Sequence, residues 1–348
     1  MTKVAALLLA GGLALAGCAS DEDSSAGGAS GGGEGDLKVG VAYDTGGRGD
    51  KSFNDSAIAG VEAAVKDLGG SVEDDIQELS PNEDGSDRAE LLTQLAENGF
   101  NPVIAVGFAY GDIIGDIAAD YPETQFAIVD TSVADMGVDN LTGLVFAEEE
   151  GSFLAGVAAA SKSATGHIGF IGGQQSPLIE RFEAGYTAGA KAVDPDIIVD
   201  TQYLSPAGDP SGFGDPEGGK VAAQGMFQNG ADIVFHAAGG SGEGVFEAAV
   251  EAGQRAIGVD SDQYASASPE QQAVIMTSML KRVDNAVEAY IKDFAEGNID
   301  GGVDILNDLS TGGVGLSTSG GFIDDIQDVI EDYRQQIIDG DIEVPTTP

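Results

Sequence analysis

"LKVGVAYDTGGRGDKSFNDSAIAGVEAA", Leu37 to Ala64, carries the reading of the fold. A largely apolar run, Leu37 to Tyr43, passes through a loop into a helix with Ile58, Val61, Val65 and Leu68 on one face. An apolar strand followed by an amphipathic helix is the repeating unit of a parallel sheet covered on both faces. The loop between them is richer than a turn requires. A turn needs a glycine and a polar residue or two; this one holds Asp44, Gly46, Gly47, Asp50, Phe53 and Asn54. An aromatic face, hydrogen-bonding edges and glycines that let the backbone fold under them suit a small polar ring.

The same rhythm runs down the chain. Strands are expected over 71–79, 101–108, 125–130, 166–173, 196–204, 231–240 and 255–260, with helices over 87–99, 110–121, 178–193, 216–230 and 242–253. Two such runs give two doubly wound α/β lobes. Residues 37–146 with about 263–300 are expected in the first, and 147–262 with about 301–340 in the second. Hinge crossings are expected near Phe146, Asp262 and Gly301.

Ligands of open α/β sheets sit beyond the carboxyl ends of the strands. The residues there are Asp44 to Gly47, Gly107 to Tyr110 with Phe108, Asp130 to Ser132, Gly172 to Gln174, Ala238 to Gly242, Asp260 to Gln263, and Lys281. Carboxylates, amides, aromatics and bare backbone therefore face one another across a cleft.

Composition narrows the partners. With 15 Lys and Arg against 59 Asp and Glu, the chain of 348 residues has a formal charge of −44. That repels nucleic acid and anionic membrane surfaces, and suits a solvated surface, including one adapted to high salt. One cysteine and two histidines, His167 and His236, make no zinc site and no internal disulfide. No metal or other cofactor is expected, and His236 reads as a satisfied strand-end residue.

The N-terminus reads as an address. After Lys3, Val4 to Ala16 is an apolar stretch of 13 residues, short for a bilayer span, ending in Leu15-Ala16-Gly17-Cys18. It resembles a bacterial lipoprotein signal, cleaved before Cys18 with lipid attached to the sulfur. Residues 18–36 are Gly/Ser-rich and acidic, a tether with a reach of roughly 20–25 Å. The body is expected on the outer face of a membrane, lipid-anchored.

Taken in order, "DTGGRGDKSFN", "FAIVD", "ERFEAGY", "AAGGSGEGVFEAA", "GVDSDQ" and "TSMLKRVDNAV" resemble the BMP/PnrA family, purine-nucleoside-binding lipoproteins of ABC transporters. They cover about residues 37–300 and are specific as a set, not singly. The resemblance implies a type I periplasmic-binding-protein fold that closes two lobes on a nucleoside and delivers it, as a monomer, to a permease. It implies that Phe53 and Phe182 stack on the base, and that Asp44, Asn54 and Asp130 bind base or ribose edges. Asp260 would accept the ribose hydroxyls beside Lys281, backbone would approach the sugar at Gly239 and Gly240, and Ser52 and Phe108 would complete the set. A carboxylate accepts two neighbouring hydroxyls by charge-assisted bonds, and aromatic faces suit a base.

The residues alone leave other readings open. Phe53 and Phe182 also suit a core, Asp44 and Asp260 also suit turn caps, and Lys281 also suits a partner carboxylate. "GGSGEG" follows a strand and opens a helix like a dinucleotide loop, but lies deep in the second lobe. A receptor of the same fold for a sugar or another small polar metabolite, a secreted nucleosidase and a surface sensor all stay open. The nucleosidase needs a water activator. The acids are dispersed over several loops, neither histidine sits in a matched motif, and Glu243 spoils a G-x-S-x-G elbow.

Overall fold

A computed structural model describes residues 37–348; the expected signal sequence, lipidation site Cys18 and tether lie outside the described residues. Twelve strands are present among the described residues: β1 Val39–Ala42, β2 Ile76–Leu79, β3 Val103–Ala105, β4 Phe126–Val129, β5 Leu141–Phe146, β6 His167–Gln174, β7 Ile198–Ser205, β8 Ile233–Ala237, β9 Arg255–Asp260, β10 Ile275–Lys281, β11 Val303–Asn307 and β12 Val314–Leu316. They form two six-stranded sheets, in the orders β11-β5-β4-β3-β1-β2 and β12-β10-β9-β8-β6-β7. All pairings are parallel except β10 with β12. The two lobes are therefore wound alike, each with its reversal of strand order beside β1 or β6.

Sheet membership differs from the sequence expectation at two places. β10 joins the second sheet, against β9, and β11 joins the first, against β5. The chain crosses after Phe146, after Lys281 and between Asn307 and Val314, so neither Asp262 nor Gly301 is a crossing. Non-local pairing decides this: β10 finds an apolar parallel neighbour in β9, and its helix, Val283–Glu296, then packs on the helix Phe53–Asp67 of the first lobe. The stretch expected as a strand over 71–79 opens as a helical turn, Val72–Asp75, capped by the Ser71 side chain, and is extended only over Ile76–Leu79. Its Glu-Asp-Asp run, complementary to a helix N-terminus, explains that turn.

Helix Phe53–Asp67 buries Ile58, Val61 and Val65 as the periodicity implies, while Leu68 lies just past its end and is exposed. Helix Glu148–Lys162 was not expected. It packs on helix Pro177–Val193 with the backbones in near contact: a Cβ on Gly185 or Gly189 would overlap the carbonyl oxygens of Glu149 and Phe153. That contact brings the N-terminal turns of both helices to the crossing after β5.

Candidate functional site

The carboxyl ends of β1, β3 and β4 in one lobe face those of β8, β9 and β10 in the other. Between them lies a pocket of about 500 Å³ of free space, its open mouth included. Asp44, Phe53, Asn54, Phe108, Asp130, Phe182, Gly239, Asp260 and Lys281 line it. Ser52 stands behind the wall, its Oγ donating to Asp260 Oδ2 at 2.6 Å. Gly240 is the next residue of the turn, outside the lining, where an added Cβ would come within 4.0 Å of Asp50 Cβ across the cleft.

The loop after β1 is built around Asp50. Its carboxylate accepts from the backbone N–H groups of Ser52, Asn54 and Asp55 at 2.9–3.1 Å, satisfying orphan donors at the start of helix Phe53–Asp67. Asn54 is engaged in the same loop: its Oδ1 accepts from Asp44 N–H at 3.0 Å and its Nδ2 donates to Asp50 at 3.1 Å. Asp44 accepts from Arg88 at 3.1 Å and from Thr45 N–H at 2.7 Å. Burial pushes the Asp44 pKa up against the pull of Arg88. These bonds hold Phe53 at the first turn of the helix, facing the cleft.

Lys281 is the one cationic side chain lining the pocket among the described residues. Its Nζ, on the second lobe, donates to Asp130 Oδ2 on the first at 2.6 Å, and lies 3.9 Å from Asp260 Oδ1. The same ammonium lies over the rings of Phe53, at 4.6 Å, and of Phe146 and Phe182, at 5.5 Å each. Burial pulls its pKa down, but the carboxylates of Asp130, Asp260 and Glu148 more than offset this, and the pKa stays raised. Burial pushes Asp260 up to about 6 despite Lys281 and the Ser52 hydroxyl.

Asp130 and Asp260 both hold the left-handed backbone, with φ of 68° and 61°. Only Lys51 shares that conformation among the other described non-glycine residues. Such geometry is disfavoured for a residue with a Cβ, and persists where its surroundings impose it. Here it turns two strand-end carboxylates towards one lysine.

Several residues in or around the pocket carry no distinct sequence signal. Asp50 stands out in the sequence only as part of the loop. Phe213 comes from a short 3-10 turn, Pro210–Phe213, and lies over Gly239. Arg88 anchors Asp44 from behind. Glu148, at the start of the unexpected helix, is buried near Lys281 and Asp130, and burial pushes its pKa up to about 8. His236 is not the satisfied residue expected: it is fully buried, and neither ring nitrogen finds a hydrogen-bond partner among the described residues. No cluster of three or more His, Cys, Asp or Glu able to hold a metal occurs among the described residues.

Comparison with known proteins agrees with this architecture. Residues 37–348 match the Bmp family, described as ABC transporter substrate-binding protein, PnrA-like. The chain is 35% identical over 356 residues to the ABC transporter nucleoside-binding protein BmpA of Lactococcus lactis subsp. cremoris, covering 99% of this chain and 98% of that one. It is 34% identical over 355 residues to a CD4+ T-cell-stimulating antigen of Listeria innocua, covering 98% and 97%. A solute-binding protein of an ABC transporter system from Aeropyrum pernix K1 superposes with a TM-score of 0.77 at 28% identity, over 89% of this chain and 93% of that one. The chain belongs to the Bmp family of PnrA-like substrate-binding proteins of ABC transporters.

Proposed function

We propose that the protein is a lipid-anchored receptor that closes its two lobes on a purine nucleoside and passes it to a membrane permease. One observation carries the reading: aromatic rings and buried carboxylates line a single interlobe pocket whose lysine is already paired with Asp130. A neutral, flat, hydroxyl-bearing ligand suits such a site, because the rings offer stacking faces and Asp260 offers an ionisable acceptor for hydroxyls. A nucleotide suits it poorly, because its phosphate would meet carboxylates and, among the described residues, no unpaired cation in the lining. The name of the Lactococcus relative supports the ligand class. The lipid anchor rests on the Cys18 signal; no helix among the described residues is long and apolar enough to cross a membrane. The mechanism is hinge closure, with contacts from both lobes favouring the closed state, and no chemical step.

Isothermal titration tests it. The protein, freed of bound ligand by unfolding and refolding, is titrated with guanosine, inosine, adenosine, cytidine and ribose at low and high salt. Binding of purine nucleosides but not ribose is expected. Absence of heat with every nucleoside, from protein shown to be refolded, would sink the assignment, and release of ribose from inosine would make the protein an enzyme.

A further inference from the structure

A side chamber opens behind Asp130. It holds about 460 Å³ of free space, mouth included, between Asp130, Ser132, Phe146, Glu148, Leu178 and Arg181. Asp130 and Leu178 also line the ligand pocket, so the two spaces share a wall. Most polar groups of the chamber are committed. Ser132 Oγ donates to Asp304 at 2.5 Å, and the Arg181 guanidinium donates to both oxygens of Glu149 at 2.8 and 3.0 Å. Two oxygens are not. Asp130 Oδ1 and Glu148 Oε2 are buried and have no hydrogen-bond partner, the latter lying 3.4 Å from Arg181 Nε. Their side chains are 3% and 1% exposed. A buried carboxylate oxygen without a donor is costly, and such an orphan calls for an explanation.

Asp130 Oδ1, on a carboxylate paired with Lys281, is an acceptor, and Glu148 Oε2 becomes one when its carboxyl ionises; the chamber's cation, Arg181, is already bonded to Glu149 and ion-paired with Glu148, so the chamber suits N–H or O–H donors and not an anion. We infer that this chamber is the base-reading compartment of the ligand site, in which Glu148 and Asp130 accept hydrogen bonds from N–H groups on the edge of the bound base. The inference rests on the nucleoside reading above and names the feature selected: a base with an amide or amine edge, as in guanosine, over one with ring acceptors only, as in purine riboside. Glu148 enters from the N-terminal turn of helix Glu148–Lys162, faced by Lys281 from β10, Asp130 after β4 and Arg181 from helix Pro177–Val193, with Glu149 beside it. Burial favours its protonated carboxyl, against the pull of Lys281 and Arg181. Accepting a ligand N–H favours the carboxylate, so that proton passes to the buffer as the ligand binds.

The test is isothermal titration of guanosine, inosine and purine riboside at pH 6 to 8.5, in buffers of different ionisation enthalpy, with wild type and Glu148→Gln. The ribose is common to all three ligands, so affinity ratios isolate the base. Expected for wild type is guanosine binding at least about tenfold tighter than purine riboside, a ratio that grows about tenfold or more from pH 6 to 8, and proton release on guanosine binding. In Glu148→Gln the pH dependence of the ratio disappears and the preference narrows to under about threefold. Equal wild-type affinities, a ratio that falls as pH rises, or a preference unchanged in Glu148→Gln overturns the inference while leaving the nucleoside reading intact. No binding of any nucleoside by folded wild type overturns both. If the variant does not fold, the wild-type pH profile and proton count decide alone.

Discussion

Lys281 is the keystone of the interlobe contact, and replacing it with Met isolates its charge. Met keeps most of the apolar stem against Phe53, Phe146 and Phe182 but removes the ammonium from Asp130. Asp130 Oδ1 already lacks a partner, so after the change neither oxygen of a side chain 3% exposed is neutralised. Breaking a buried ion pair from one side costs about 3–5 kcal/mol, a large share of a typical net stability of about 5–15 kcal/mol. Removing both charges should recover most of it. In Lys281→Met/Asp130→Asn, the asparagine tolerates the left-handed backbone at φ 68°, and no buried charge of the pair remains. The assay is urea unfolding followed by far-ultraviolet circular dichroism, since the chain has no tryptophan. The double variant is expected within about 2 kcal/mol of wild type. A single variant losing less than about 1 kcal/mol, or a double variant losing the sum of the two singles, refutes the view of this pair as a buried, mutually dependent charge.

Asp260→Asn should weaken nucleoside binding about 10- to 100-fold, because ligand hydroxyls lose an ionised acceptor. In wild type the hydroxyl-dependent affinity should rise with pH through about 6, since binding favours the carboxylate, and the variant should lose that rise in titration calorimetry. His236, buried neutral with its pKa depressed to about 4, stabilises the fold less as pH falls from its ordinary 6.5, because there the unfolded chain takes up the proton first. The loss is about 3 kcal/mol by pH 4. Relative to His236→Leu, wild-type stability measured by urea unfolding should drop by that amount over the window, and parallel pH profiles would remove the effect. Gly189→Ala should cost about 1–3 kcal/mol by forcing the two glycine-packed helices apart. An unchanged melting temperature would show that the contact yields easily.

The parts of the site that can be read from sequence are those fixed by local rules. Asp44, Asp130, Asp260 and Lys281 each stand at or just beyond the end of an apolar run, and parallel winding places such ends on one edge of each sheet. That the four meet at one pocket follows from topology. What could not be read depended on distant partners. The lobe to which β10 or β11 belongs is decided by pairing with β9 or β5, and no local pattern in "AVIMTSML" or "VDILNDLS" encodes it. Helix Glu148–Lys162 was hidden for a different reason. Apolar and small residues surround it, from Gly151 to Ala159 all are buried, and it lacks the polar face that makes a surface helix visible as a period. Glu148 was lost with it. Phe213 sits in a loop of Gly, Pro and Asp, where no periodicity exists to point an aromatic ring anywhere.

The three crossings also set an order of assembly. The first sheet cannot be completed when its first five strands have left the ribosome or the export channel, because its edge beside β5 waits for β11, which ends at Asn307. The second sheet waits in the same way, with β10 bare until β12 at Leu316. Between the synthesis of β5 and that of β11, then, the first half-built domain exposes an unpaired backbone rim of the kind that recruits foreign strands, and the second does so from β10 to β12. A chain cut short before Val303 would lose not its last-made lobe but the closing edge of both, and a frameshift late in the gene would damage the part translated first.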